Sequence, residues 1–171
     1  NVTDKVELLR NTFARPFTAV PGMPECYQTL ADRGAAFHYV SASPWQLYVP
    51  LTELLSNSGF PGGTFHLRLF RWNGSFVQSS RPHKIDNISF LIDHSRERHF
   101  ILVGDSGERD PEVYGTIARK YPQFVIKILI RNVTQEEAEG TRFQEAFKDL
   151  PKSLWTVFSD PATVDTEWSK W

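Results

Sequence analysis

Two aspartates five positions apart are the first residues of this sequence whose types and spacing suggest chemistry. Asp105 and Asp110 follow the apolar run 100–103, which predicts a strand buried on both faces. Ligands of open α/β sheets bind at the carboxyl ends of strands, and two carboxylates suit a hard cation such as Mg²⁺. The pair therefore predicts a metal site. The alternative is that Asp110, followed by Pro111, begins a helix while Asp105 is a solvated loop acid.

Ser41 is the second candidate, because it directly follows the strand predicted over 35–40. Pro44 suits the first turn of a helix, so a helix is predicted over 45–55 with Ser43 as its N-cap. The free amides of such a helix N-terminus would offer a seat for a phosphate group. Ser43 is expected only to cap the helix, which leaves Ser41 as the candidate ligand.

Lys84 is the third candidate and lies in the first turn of a helix predicted to begin at Pro82. A cation in the first turn opposes the helix dipole and is unfavourable unless an anion lies nearby. The position therefore suggests a neighbouring anion, and the alternative is a lysine that is simply solvated.

The elements that must position these residues alternate between strand and helix. Further strands are predicted over 65–70, 124–130 and 154–158, and further helices over 4–13, 25–32, 112–120 and from a capping box at 134–137 through 143–147. The alternation predicts one α/β domain over 1–171, a parallel sheet with helices on both faces. The carboxyl ends of its strands would bring the candidate residues to one edge.

Composition and charge narrow the class of protein. Hydrophobic residues make up 40% of the 171 residues and charged residues 23%, as in ordinary globular domains. A net charge of −1 gives no basic footprint for nucleic acid. Cys26 is the only cysteine, so an internal disulfide and metal sites built on thiolates are excluded. The longest apolar run is too short to span a bilayer.

Four Asn-x-Ser/Thr sequons make N-glycosylation, and hence secretion, a hypothesis for the compartment. Their asparagines are Asn1, Asn73, Asn87 and Asn132.

Taken in chain order, the candidate residues resemble the motifs of the haloacid dehalogenase superfamily of phosphohydrolases. That superfamily places a Ser or Thr after a strand, then a Lys at a helix start, then two acidic residues after a later strand. A more specific resemblance comes from the amino-acid sequences of three stretches, 37–48, Lys84-Ile85 and 100–114. They resemble the catalytic domain of the phosphatidate phosphatase family first associated with fungal actin patches, and the resemblance extends over about residues 5–162.

The resemblance implies a Mg²⁺-dependent phosphatase that converts phosphatidate to diacylglycerol and phosphate through an aspartyl-phosphate. Ser41 would hydrogen-bond a phosphoryl oxygen, and Lys84 would neutralise charge on the nucleophile and the phosphate. Asp105, together with Asp110, would hold Mg²⁺. The family also implies a cytoplasmic or peripheral membrane location, in contrast to the secretion that the sequons suggest.

The sequence departs from the family at the first motif, Asp-x-Asp-x-Thr, which supplies the nucleophile and is absent here. In the superfamily the strand bearing that motif lies between the strands that match 35–40 and 100–103. We therefore expect a Rossmann-like three-layer fold of the haloacid dehalogenase type that lacks its first, central strand. The chain would be an N-terminally incomplete catalytic domain, with that strand supplied from upstream in the same precursor.

Three functions remain open on the sequence alone. The first is the phosphatidate phosphatase, although the absent nucleophile leaves open whether this chain is itself an enzyme. The second is an inactive pseudophosphatase that serves as a binding module, and the third is a phosphatase of another phosphomonoester. Four aromatic residues are candidates for an apolar rim that contacts a lipid substrate: Trp45, Tyr48, Phe60 and Trp72. The alternative is that they belong to the hydrophobic core.

Overall fold

A computed structural model describes residues 19–68 and 80–164, with side chains from Pro82 onward in the second range. The helices are α1 (Met23–Asp32), α2 (Tyr48–Asn57), α3 (Ser80–Asp93), α4 (Asp110–Lys120) and α5 (Thr141–Ala146). The strands are β1 (Phe37–Pro44), β2 (Gly63–Arg68), β3 (Phe100–Asp105), β4 (Val125–Arg131) and β5 (Trp155–Phe158). Short 3₁₀ turns cover Trp45–Leu47, Lys152–Leu154 and Pro161–Thr163. The predicted helix over 4–13, Trp72, and the sequons at Asn1 and Asn73 lie outside the described residues.

The described strand pairs are all parallel, so the predicted α/β class with parallel strands is confirmed. The described strands form two sheets, one of β1 and β2 and the other in the order β3-β4-β5. In the larger sheet Asp105 lies opposite Arg131, and Arg131 lies opposite Phe158. The carboxyl ends of β3, β4 and β5 therefore meet at one edge.

The central strand of the larger sheet, β4, is buried on both faces, as its β-branched sequence predicts. On one face Ile128 and Ile130 are fully buried against α3, α4 and α5. On the other face Leu129 is buried with Met23 of α1 and with Phe158. Helices thus cover this sheet on both sides.

The helix predicted over 45–55 begins later than expected, and the predicted capping role of Ser43 is wrong. The strand β1 continues through Pro44, which has extended backbone angles (φ −64°, ψ 147°) and pairs with Arg68. A 3₁₀ turn follows, and α2 begins only at Tyr48 without a side-chain cap. The fixed φ of proline fits a strand end as well as a helix start, so Pro44 could not distinguish them.

The capping box predicted at Thr134 does not begin a helix. The Thr134 hydroxyl donates to Glu136 (2.7 Å), and Gln135 has a left-handed φ of 58°. The helix α5 begins only at Thr141 and buries Phe143 completely, in agreement with the helix predicted over 143–147.

The elements around the two aspartates agree with prediction to within about two residues. The strand β3 ends at Asp105, and α4 begins at Asp110 with Val113, Tyr114 and Ile117 buried. Within the described ranges, no helix is long and apolar enough to cross a membrane.

Candidate functional site

The structure brings Lys84, Asp105 and Asp110 together at the carboxyl end of β3. The Lys84 ammonium donates to Asp110 Oδ1 (2.5 Å), and Asp110 Oδ2 accepts from the backbone amide of Asp105 (3.1 Å). Lys84 is only 8% exposed and Asp110 only 4%. Residues from α3, β3 and the start of α4 thus share one partly buried charge cluster. Lys84 has the nearby anion that the sequence suggested, although α3 begins at Ser80, so Lys84 lies just beyond its first turn.

A third carboxylate, Glu108, completes the surroundings of Lys84 and was missed in the sequence. Its Oε2 accepts from the Lys84 ammonium at 3.0 Å. Burial alone would lower the pKa of Lys84, but the two carboxylates outweigh it and raise the pKa. Burial raises the pKa of Asp110, and the Lys84 charge opposes that shift. Lysine is thus held protonated between the two acids.

The glycine before Asp105 makes room for the Asp110 carboxylate. A Cβ placed on Gly104 would lie 2.8 Å from the Cβ of Asp110, closer than real contacts of this kind. Only glycine lets the strand end and the helix start come this close. The run Gly-Asp-Ser-Gly therefore has a packing role as well as a role in turning the chain.

Asp105 shapes the loop that joins β3 to α4. Its Oδ1 accepts from the amides of Gly107 (2.8 Å) and Glu108 (3.2 Å), as in an Asx turn. Its other carboxylate oxygen makes no hydrogen bond to any residue that the structure describes. Asp105 thus holds the loop with one oxygen and presents the second as a possible ligand.

The two aspartates differ in how well they suit a metal ion. Both oxygens of Asp110 are occupied, one by Lys84 and one by the Asp105 amide. No group of three or more His, Cys, Asp or Glu side chains among residues 19–68 and 80–164 is arranged to hold a metal. Mg²⁺, however, is commonly held by one or two protein carboxylates together with water and phosphate oxygens. Asp105 alone fits that pattern, and a metal role for either aspartate stays a prediction.

Ser41 lies in the second half of β1, and its hydroxyl is not hydrogen-bonded to the charge cluster. Its hydroxyl donates to Ser43 Oγ (2.9 Å) and accepts from the Ser43 amide (3.1 Å). No hydrogen bond joins it to Lys84 or to either aspartate. The helix α3, which carries Lys84, packs against β1, so the two residues belong to neighbouring elements.

Arg142 of α5 holds the loop after Asp105 from outside and was also missed in the sequence. Its Nη1 donates to the Ser106 carbonyl (2.6 Å) and its Nη2 to the Glu108 carbonyl (2.6 Å). Its guanidinium also pairs with Glu112 and Glu136, each at 3.0 Å. Its only sequence signal is a basic residue in a short helix, because all these partners lie far away along the chain or in loops.

Arg131, the last residue of β4, is the most unusual cation at this edge. Its Nε is buried and has no hydrogen-bond partner, the one such side-chain atom in the part of the chain that the structure describes. The residue lies directly opposite Asp105 in the register of the sheet. It too was not singled out in the sequence.

Two of the four residues predicted to form an apolar rim for a lipid are exposed at the surface. Trp45 and Tyr48 follow β1 and are 52% and 50% exposed, and Val49 beside them is 58% exposed. Phe60 instead packs against the core around Met23 and Leu129.

The two described sequon asparagines are half-buried and use their side-chain amides internally. Asn87 donates to the His83 carbonyl (2.8 Å), and Asn132 donates to the Glu136 carbonyl (2.6 Å). Glycosylation at the four sequons stays a prediction.

Comparison with known proteins connects this arrangement to one family. Residues 1–132 match the family described as phosphatidate phosphatase APP1, catalytic domain. The chain is 35% identical over 133 residues to phosphatidate phosphatase APP1 of Saccharomyces cerevisiae, covering 75% of this chain and 22% of that protein. It is 28% identical over 152 residues to an uncharacterized protein of Schizosaccharomyces pombe, covering 86% of this chain and 25% of that protein. The chain thus spans about a quarter of the length of these relatives. No solved structure matches it.

Proposed function

This chain belongs to the family of phosphatidate phosphatase APP1 catalytic domains, and we propose that it carries part of the active site of a Mg²⁺-dependent phosphatidate phosphatase. The reaction cleaves the phosphomonoester of phosphatidate with water, which leaves diacylglycerol and inorganic phosphate. The observation that carries the proposal is the partly buried cluster of Lys84, Asp105 and Asp110 at the carboxyl end of β3.

The charge of this cluster favours a divalent cation. Lys84 contributes one positive charge, while Asp105, Glu108 and Asp110 contribute three negative charges, which leaves an excess of two negative charges in a partly buried site. A phosphate dianion would be repelled by such an excess. Mg²⁺ held at Asp105 would neutralise this excess and would supply polarisation of the phosphoryl oxygens. The free oxygen of Asp105 is the ligand that this chain would supply.

The remaining residues of this chain bind and orient the phosphate group. Lys84 stays protonated beside its two carboxylates and keeps a positive charge close to the phosphoryl group. Ser41 donates to a phosphoryl oxygen once its hydroxyl turns away from Ser43, a hydrogen bond of 2.9 Å. Neither residue is the nucleophile, which in the proposed mechanism is an aspartate of an Asp-x-Asp-x-Thr motif attacking phosphorus.

We further propose that the strand bearing that motif lies between β1 and β3 and comes from an upstream segment of the same protein. The two described sheets are not hydrogen-bonded to each other, and no described strand pairs with the second edge of β1 or of β3. Unpaired strand edges expose amides and carbonyls that an added strand would satisfy. Such a strand would give the order of a haloacid dehalogenase-like sheet and place its aspartates beside Asp105.

A lipid substrate is favoured over a soluble phosphomonoester by the exposed side chains that follow β1. Trp45, Tyr48 and Val49 are each at least half exposed and lie within ten residues of Ser41. Tryptophan and tyrosine are the residues that prefer the boundary between water and lipid.

Phosphate release from phosphatidate micelles by the full-length protein, with its upstream segment, tests the proposal. We expect release that requires Mg²⁺ and is lost in Asp105→Asn, whereas Asp86→Asn, which removes an exposed carboxylate from α3, behaves as wild type. Release that survives in Asp105→Asn would contradict the role of Asp105. A protein that binds phosphatidate without releasing phosphate would instead be the pseudophosphatase, which the absence of the nucleophile motif from this sequence keeps open.

A further inference from the structure

The Nε atom of the half-buried Arg131 lacks the hydrogen-bond partner that a buried nitrogen normally has. Its Nε is shielded from solvent without a hydrogen bond, and no hydrogen bond or ion pair joins the guanidinium to any residue that the structure describes. Buried polar groups in folded proteins are almost always hydrogen-bonded. An exception at the edge of a functional site indicates a group that a ligand satisfies.

The position of Arg131 is that of a ligand-binding residue in an α/β sheet. It is the last residue of β4 and lies opposite Asp105, the last residue of β3. Residues paired in a parallel sheet project to the same face from strands about 5 Å apart. The Ser106 amide donates to the Arg131 carbonyl (2.9 Å), which fixes the backbone of Arg131 against the loop that follows Asp105.

Asp105 is the natural ion-pair partner of Arg131, yet it does not pair with it. One carboxylate oxygen of Asp105 is held by the amides of Gly107 and Glu108. The arginine and the aspartate thus lie side by side at the same edge, with the guanidinium left for another anion.

Two other cations around this loop already form ion pairs with carboxylates. Lys84 pairs with Glu108 and Asp110, and Arg142 pairs with Glu112 and Glu136. Arg109, within the loop, is exposed. Arg131 is therefore the partly buried cation beside Asp105 whose charge no described carboxylate neutralises.

We infer that Arg131 binds the phosphate group of the substrate through its guanidinium fork. The planar guanidinium donates two parallel hydrogen bonds to two oxygens of a phosphate, which a lysine cannot reproduce. The inference rests on the proposed function, because it takes this edge to be a phosphate site, and it deepens that function by assigning a residue to hold the phosphate. The same chemistry serves a lipid headgroup or free phosphate.

Arg131→Met tests the inference, with Arg131→Lys keeping the charge without the fork and Arg98→Met removing an exposed arginine elsewhere. Calorimetric titration with dioctanoyl phosphatidate and with inorganic phosphate gives the two dissociation constants. We expect Arg131→Met to raise the dissociation constant about tenfold or more, as the loss of a charge-assisted pair does. The dissociation constants of Arg131→Lys should lie between those of wild type and Arg131→Met, and those of Arg98→Met should match wild type. Weaker binding of both ligands assigns Arg131 to any phosphate group, and weaker binding of phosphatidate alone assigns it to the lipid headgroup. Unchanged dissociation constants for both ligands in Arg131→Met overturn the inference.

Thermal unfolding separates ligand binding from a structural role. A residue that pairs only with ligand is not needed for folding, so ligand-free Arg131→Met should unfold at or above the wild-type temperature. Added phosphate should raise the unfolding temperature of wild type and not that of Arg131→Met. A ligand-free variant that unfolds well below wild type, or fails to fold, would show that Arg131 is structural and overturn the inference.

The same proteins distinguish failure of this inference from failure of the proposed function. Phosphate binding that depends on Arg131, in a protein that releases no phosphate from phosphatidate, supports the inference and contradicts the proposed reaction. Mg²⁺-dependent release with an unchanged KM in Arg131→Met supports the reaction and overturns the inference.

Discussion

The Lys84 ammonium lies 2.5 Å from a carboxylate oxygen of Asp110, and both side chains are at least nine-tenths buried. The pair joins the N-terminal part of α3 to the first residue of α4. A buried ion pair of this kind is costly to form, since both charges leave water, but it is far more costly to break on one side. Its geometry therefore controls both the stability and the shape of the candidate site.

Removing the lysine alone should destabilise the protein strongly. In Lys84→Met the Asp110 carboxylate stays buried without its cation, and we expect the free energy of unfolding to fall by about 3–5 kcal/mol. Urea unfolding measures the change. The double variant Lys84→Met with Asp110→Leu removes both charges and should recover most of the loss. A double variant as unstable as the single one would show that the unpaired carboxylate is not the cause.

Adding a single methyl group at Gly104 should displace Asp110. A Cβ there would lie 2.8 Å from the Cβ of Asp110, so Gly104→Ala should lower the free energy of unfolding by about 1–3 kcal/mol and reduce the proposed phosphatase activity. Gly62→Ala is the matched control, because a Cβ at Gly62 meets nothing within 4 Å. Equal stability and activity of the two variants would contradict the close approach of β3 to α4.

Loss of Arg142 should loosen the loop that follows Asp105. Arg142→Met leaves the Ser106 and Glu108 carbonyls without their donor, so the amides of Gly107 and Glu108 should exchange their hydrogens faster. We also expect the Mg²⁺ concentration needed for half-maximal activity to rise about tenfold, as for groups that orient metal ligands.

Arg119→Met is the control for that experiment, because Arg119 also donates to two carbonyls, those of Ala146 and Lys148, away from the site. It should leave both the exchange of the loop amides and the Mg²⁺ requirement unchanged. A change of equal size in both arginine variants would indicate general destabilisation rather than positioning of Asp105.

The acids paired with Arg142 should make stability fall on acidification. Burial raises the pKa of Glu112, but the hydrogen bonds and charge of Arg142 outweigh it and hold the pKa below the ordinary value of 4.5. Hydrogen bonds from Thr134 and then from Arg142 hold the pKa of Glu136 below 4.5 as well. Below pH 4.5 the unfolded chain therefore binds more protons than the folded one, so this stabilisation is complete above that pH and is lost as the pH falls through the folded pKa values.

Urea unfolding from neutral pH down to about pH 3.5 tests this sign. We expect the difference in the free energy of unfolding between wild type and Arg142→Met to shrink as the pH falls. A difference that stays constant or grows on acidification would contradict the role of Arg142.

The sequence predicted the elements whose signals are local. The apolar run that ends at Gly104 predicted β3, and the pair Asp110-Pro111 predicted the start of α4. Predictions from local signals were wrong where contacts with a residue distant in the sequence determine the structure. The amides of Val133 and Thr134 donate to Ser106 Oγ (2.9 and 3.1 Å), so the capping box at Thr134 is drawn into a loop instead of starting a helix.

The candidate site was predictable only in part for the same reason. Lys84 and the two aspartates could be proposed because each lies at the end of a recognisable element. Arg131 and Arg142 could not, because their importance depends on which strands are neighbours and on carbonyl groups in a distant loop. Ser41 was predicted to follow the strand over 35–40 but lies within β1, and its hydrogen bonds to Ser43 were not foreseen.

The larger of the two hydrophobic cores has a consequence for the order in which the chain folds and opens. Every buried member of that core lies between Ile88 and Trp155, and β1 and β2 add only the partly buried Val40. We therefore expect β1 and β2 to open more readily than this part of the chain. Asp105 and Asp110 lie within this part of the chain and Lys84 lies just before it on α3, whereas Ser41 lies on β1 of the smaller sheet. A partial opening that releases β1 and β2 would therefore separate Ser41 from the charge cluster and leave the cluster itself folded.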